Sequence, residues 1–160
     1  MHTLHGLLKA RFNVPRRYLN AILSRLSEAD LAWSPAEGMR TVAGQLLETA
    51  NKEKECLAWL KQGGGDWPDG SPDAFDKTAD LKEIKAAFES LRAETLAYID
   101  SLSEAELEEP ISSPEGWWEA MGLTRCPRSE VLRNIAAHEW YHAGQLITYL
   151  WLRGDNPYVW

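Results

Sequence analysis

The sequence predicts an all-α protein, a four-helix bundle with long loops after its second and third long helices. Three observations carry that reading. Apolar residues recur three and four positions apart along four long stretches, the spacing that puts them on one helix face. Clusters of glycine and proline separate the stretches. No segment sustains the alternation of a half-buried strand, so no strand is expected. At 160 residues the chain has room for one domain, residues 1–160, because two would each fall near the lower end of domain sizes.

The first helix carries Leu4, Leu8, Phe12, Leu19, Ile22 and Leu26 on one face. Pro15 should kink it, since the ring removes a backbone donor and crowds the preceding turn. Ser27-Glu28-Ala29-Asp30 is an N-cap with an acidic residue three positions on, and opens a short turn that ends before Ser34-Pro35. The second helix runs from Thr41 to Lys61, with Val42, Leu46, Ala50, Leu57 and Leu60 marking its apolar arc, and Gly63-Gly64-Gly65 stops it. Residues 66–73 are dense in turn formers and make a loop long enough to cross from one end of the bundle to the other. Leu81, Ile84, Phe88, Leu91, Thr95, Tyr98 and Leu102 give a third helix the cleanest stripe in the chain. Ser103-Glu104-Ala105-Glu106-Leu107 then repeats the pattern Ser27-Glu28-Ala29-Asp30-Leu31 in the same place after a long helix, a weak sign of internal duplication. Residues 109–126 form the second long loop, in which Trp117 and Trp118 either roof a substrate pocket or cap the apolar end of the bundle. The fourth long helix starts at Pro127 or Ser129 and ends at Arg153, before Gly154 and Pro157.

Apolar residues make up 44% and charged residues 26% of the chain, an ordinary globular composition. A formal net charge of -7 argues against a broad electrostatic grip on nucleic acid or anionic lipid. No apolar run approaches a membrane span, and the N-terminus lacks the basic and apolar regions of a secretory signal, so a cytoplasmic location is expected. Cys56 and Cys126 lack the spacing of a metal pair and read as reduced, partly buried thiols. Eight tryptophans, with Trp151, Tyr158 and Trp160 at or beyond the last helix, are more apolar surface than the core needs. A twofold homodimer that uses these aromatics is therefore expected; the alternative is that they fold back over the chain's own core.

The chemistry concentrates in Ile135-Ala136-Ala137-His138-Glu139-Trp140-Tyr141-His142-Ala143-Gly144-Gln145. His138 and His142 are four apart, so their rings lie on one helix face within reach of a common ion. Val131, Ile135, Leu146 and Tyr149 share or flank that face, which places the imidazoles on the core side. Burying two imidazoles without partners is costly, and a metal would satisfy both; the alternative is a pair of core histidines hydrogen-bonded to backbone or to Gln145. The same letters spell His-Glu-x-x-His, in which a protease helix supplies two zinc ligands and a general base. After His142 there is no histidine or glutamate to complete that set, and Asp155 lies on the order of 20 Å further along. Glu139 is then a solvated or outer carboxylate. His2 and His5 lie at a fraying terminus and read as uninvolved.

The stretch from Ser129 to Leu146, with Leu152-Arg153-Gly154-Asp155-Asn156-Pro157 after it, resembles the last helix of the DinB-like family, damage-inducible four-helix proteins that include the YfiT-like bacillithiol S-transferases. Gly38 to Ala50 is similar to that family's second helix. The resemblance implies a divalent ion, zinc, nickel or iron, held by one histidine on the second helix and two on the last. The last pair falls on His138 and His142; the second-helix position falls on Glu48. A carboxylate can stand in for an imidazole at these metals, giving a set of two histidines and one carboxylate with positions left open. Periodicity alone favours Glu53, which lies nearer the middle of the apolar arc, and the alternative for Glu48 is a surface pair with Lys52.

The resemblance further implies a metal-dependent enzyme acting on a small molecule, in which the ion binds and deprotonates a low-molecular-weight thiol that then attacks an electrophile. Hydrolysis by water on the ion is the neighbouring chemistry. Gln145 would orient a ligand or water, Tyr141 or Trp140 would line the mouth, and substrate would enter at the open end of the bundle. A reading from another class is a bundle that binds a ligand or partner without catalysis.

Overall fold

A computed structural model of the chain describes residues 3–68, 70–112 and 122–160. Four long helices form where the apolar stripes lie: α1 (Leu4–Leu23), α2 (Val42–Lys61), α3 (Leu81–Ser101) and, after the short helix α4 (Glu104–Glu108), α5 (Arg128–Leu152). Thr3, Thr41, Asp80 and Ser103 cap α1 to α4 by accepting a hydrogen bond from a first-turn backbone N–H. Pro15 sits inside α1. Gly154, at φ 89°, ends α5, and Asp155 N–H then reaches back to the Leu150 carbonyl at 3.1 Å. Among the described residues, no helix is long and apolar enough to cross a membrane.

Among the described residues, two strands correct the expectation of none. β1 (Pro110–Ser112) pairs antiparallel with β2 (Arg125–Pro127), Ile111 opposite Cys126. Three residues are too few to show alternation. Gly65 N–H ties the pair to the end of α2 by donating to the Ser112 carbonyl at 2.9 Å, and Gly64 packs beside it. At φ 88° it lies so close that a Cβ would stand 2.7 Å from the Ser112 carbonyl oxygen, so only glycine fits. Trp117 and Trp118, like His2, lie outside the described residues.

The buried apolar residues fall into two clusters. One gathers the end of α1 (Leu19, Ile22), the starts of α2 and α3 (Leu46, Ile84) and the end of α5 (Leu146); the other gathers the start of α1, the ends of α2 and α3 and the start of α5. Helices α1 and α5 therefore run one way and α2 and α3 the other, and residues 62–80 cross the length of the bundle, as the loop composition requires.

Between the clusters lies a charged layer with one residue from each long helix: Arg16, Glu53, Arg92 and Glu139, all buried. Arg16 donates through Nε and Nη2 to Glu139 (2.9 and 3.1 Å) and through Nη2 to Glu53 (3.1 Å). Arg92 donates to both Glu53 oxygens (2.9 and 3.2 Å) and to Glu139. Thr95 adds a hydroxyl to Glu53 at 2.8 Å. Burial works against the Arg92 charge, but the hydrogen bonds and charges of the two glutamates outweigh it and raise its pKa. Two positive and two negative charges, each with several partners, make burial tolerable.

The layer is twofold in its pairing. Arg16 donates to the Phe88 carbonyl and lies over the Phe88 ring; Arg92, 76 positions on, does the same to Phe12, 76 positions before Phe88. The two Ser-Glu-Ala segments, also 76 positions apart, take part in the same exchange. Glu28, after α1, accepts from Leu81 N–H at the start of α3 (3.1 Å), and Glu104, after α3, accepts from Leu4 N–H at the start of α1 (3.0 Å). The duplication read in the sequence thus has a structural counterpart, α1–α2 against α3–α5, with Glu53 matching Glu139 at a separation of 86.

Candidate metal centre

The structure brings Glu48, His138 and His142 together on the α2–α5 flank, one ligand atom of each within 4.8 Å of the others. The site lies beside the charged layer, not at an open end of the bundle. His142 is buried and its Nδ1 stands 2.6 Å from Gln45 Oε1. Gln45 is itself fixed, donating from Nε2 to Tyr149 Oη (3.1 Å), which donates to the Arg40 carbonyl (3.0 Å). An amide oxygen only accepts, so Nδ1 of His142 carries the proton and Nε2 offers its lone pair.

His142 Nε2 faces His138 Nε2 at 3.2 Å. Two ligands of a tetrahedral zinc with bonds of about 2.05 Å stand about 3.3 Å apart, so the imidazoles already hold ligand spacing. His138 Nδ1 and Gln145 Oε1 are buried with no hydrogen-bond partner among the described residues, an arrangement that a bound ion and its attached ligands or water would complete. Burial pushes both imidazoles below their ordinary range, His138 to about 4, where the charges of His142, Lys52 and Arg40 act in the same direction; the Glu48 charge opposes the shift in His142. Both are neutral at pH 7, the state that binds metal. The donor set fits a divalent zinc, nickel or iron ion.

The depressed pKa sets a pH dependence for protein stripped of metal. Between about 6.5 and about 4 the unfolded chain takes up a proton at His138 that the folded chain refuses, so stability present above 6.5 is lost as the pH falls through this window. The denaturation midpoint of chelator-treated protein should drop further between pH 7 and 5 in the native sequence than in His138→Gln. Equal drops would refute the assignment.

The other sequence expectations divide. Glu48 is partly exposed and pairs with Arg40 at 3.2 Å. Glu53 does face the core, but its oxygens are taken by Arg16, Arg92 and Thr95 and it is not in the histidine group. Glu139 is neither solvated nor an outer partner of the histidines: it is buried and held by both arginines, which also removes it as the general base of a protease. Tyr141 is exposed with its ring edge-on to His142, 5.1 Å between centroids, at the margin of the site. Trp140 turns to the other flank, against Tyr18 on α1. His5 binds the Leu102 carbonyl. Burial raises both thiols to about 11, so both rest protonated at neutral pH. Gln45, Arg16 and Arg92 were missed; the signal was a polar or charged residue inside an otherwise apolar arc.

A DinB-like protein from Bacillus subtilis superposes with a TM-score of 0.71 at 18% identity, over 94% of each chain. A Streptococcus pneumoniae protein does so with 0.71 at 20% identity, over 93% of this chain and 91% of its own. A mycothiol-dependent maleylpyruvate isomerase superposes with 0.61 at 21% identity, over 91% of this chain but 63% of its own. No curated protein matches the chain by sequence. The sequence profile of the DinB superfamily matches residues 11–146, through both helices that carry the candidate ligands, and the chain belongs to that superfamily.

Proposed function

We propose that this chain is a metal-dependent enzyme that transfers a low-molecular-weight thiol to an electrophile, with Glu48, His138 and His142 holding the ion. The observation that carries the reading is the convergence of two neutral imidazoles and a carboxylate beside a buried, unpartnered Gln145 oxygen. The thiol is suggested by the mycothiol dependence of the isomerase that shares the fold. A bound divalent ion supplies a centre at which a thiol loses its proton at neutral pH. Gln45 fixes the His142 tautomer, Gln145 accepts a hydrogen bond from the incoming ligand, and Tyr141 borders the entrance. The same reading places the protein in the cytoplasm.

Protein purified without an affinity tag is offered mycothiol, bacillithiol or glutathione in turn with an alkyl chloride. Each turnover joins sulfur to carbon and releases chloride and a proton. Metal-dependent loss of free thiol is the expected result. Cleavage of p-nitrophenyl acetate without any thiol transfer would assign the site to hydrolysis instead. Metal-free native protein, unchanged in stability by His138→Ala and His142→Ala, leaves only a non-catalytic bundle.

We also propose a twofold homodimer. Trp151 and Tyr158 are exposed and pack edge-on to each other at 5.5 Å, whereas Trp160 folds back on the chain, with Arg25 over its ring at 4.6 Å. We assign the contact to Trp151 and Tyr158. Light scattering should give a dimer mass that Trp151→Ser with Tyr158→Ser halves; a monomer mass for the native chain refutes it.

A further inference from the structure

Successive helix residues stand roughly 100° apart, so Trp140 is roughly 200° round α5 from His138. On that far flank α1 and α5 enclose an open groove of about 580 Å³. Its walls are apolar, with Leu7, Val14 and Trp140 about half exposed and Ala136 at its base. Among the described residues, the charged ones that line it are Arg11 and Arg133 and none is a carboxylate, in a chain with 24 acidic and 17 basic residues. Arg133 also meets Glu130 one turn back at 2.8 Å; Arg11 makes no hydrogen bond or ion pair among the described residues.

The internal repeat gives this groove a counterpart. Ala137 and Trp140 of α5 match Asn51 and Lys54 of α2, 86 positions earlier, on the α2–α3 flank. That flank is covered by the chain itself. Asn51 donates to the Asp73 carboxylate and accepts from Ala74 N–H, each at 2.7 Å, and Lys54 donates to the carbonyls of Pro72 and Asp73. On the α1–α5 flank the groups that grip a backbone are replaced by a methyl and an indole, and guanidinium groups are added. Such a surface suits an apolar body with an anionic head, and suits an extended peptide poorly.

We propose that the α1–α5 groove binds an amphipathic anion, a carboxylate on an aliphatic or aromatic body, with Arg11 and Arg133 pairing the carboxylate and Leu7, Val14, Ala136 and Trp140 covering the body. Leu7 to Pro15 spans roughly 12 Å of helix, a fit for a medium-chain acid. The site is separate from the candidate metal centre and stands or falls independently of it.

Calorimetric titration of full-length protein with decanoate and, in parallel, decanol tests the proposal. Decanoate should bind once per chain and at least tenfold more tightly than decanol. Arg11→Gln with Arg133→Gln should remove that preference, and Ala10→Trp, an exposed lining position, should abolish binding while thermal melting shows an intact fold. His142→Ala should leave decanoate binding unchanged. The proposal is overturned by absent binding, by equal binding of acid and alcohol, or by loss of binding in His142→Ala, which would place the carboxylate on the metal. It is equally overturned by light scattering that shows a dimer split by Ala10→Trp in protein that ignores decanoate, since a second copy would then fill the groove.

Discussion

Glu139→Gln is expected to destabilise the fold by about 3–5 kcal/mol, although the side chain keeps its shape. The carboxylate answers both Arg16 and Arg92 inside the bundle, so removing its charge leaves two guanidinium groups facing Glu53 alone. For a domain of this size the change corresponds to a fall of about 6–20 °C in Tm. Replacing Arg16, Glu53, Arg92 and Glu139 together by methionine should cost far less than the four single changes combined, because no uncompensated charge then remains buried. A single substitution worth less than about 1 kcal/mol in urea denaturation would show that the layer is hydrated or loosely paired.

His142→Ala should abolish metal binding outright, since it removes a candidate ligand and the buried donor to Gln45 at once. Gln45→Leu leaves all three candidate ligands in place but frees the His142 ring to choose either tautomer, and should weaken affinity by about 10–100-fold. Glu48→His should hold zinc at least as tightly as the native chain. Metal content per folded molecule, measured by elemental analysis after dialysis against a weak chelator, separates these outcomes. If Glu53→Gln empties the site while Glu48→Gln does not, the carboxylate has been misassigned.

The long helices were legible because each carries its apolar stripe through several turns and is bounded by caps and glycine or proline stops. The histidine pair was legible because four-residue spacing is a local property of one helix. Glu48 was not, because it stands at the margin of its helix's arc, half in solvent, and only family resemblance pointed to it. Periodicity judged correctly that Glu53 is buried but assigned it the wrong partner. Its partners lie on α1 and α3, 37 and 39 residues away, and no single-helix pattern records such pairings. Gln45 escaped for the same reason, 97 residues from the imidazole it positions. Strands of three residues fall below what alternation can reveal.

The mutual capping of α1 and α3 by Glu104 and Glu28, with the shared charged layer, means that neither half of the chain is complete alone. Each helical pair finishes the other's first turn and neutralises the other's buried charge, as two subunits of a heterodimer would. Residues 62–80 act as a tether that converts a two-body association into a one-body event, and its contribution is an effective concentration more than a set of contacts. Cleavage within it should leave the halves joined, with a melting temperature that now rises with protein concentration and did not before.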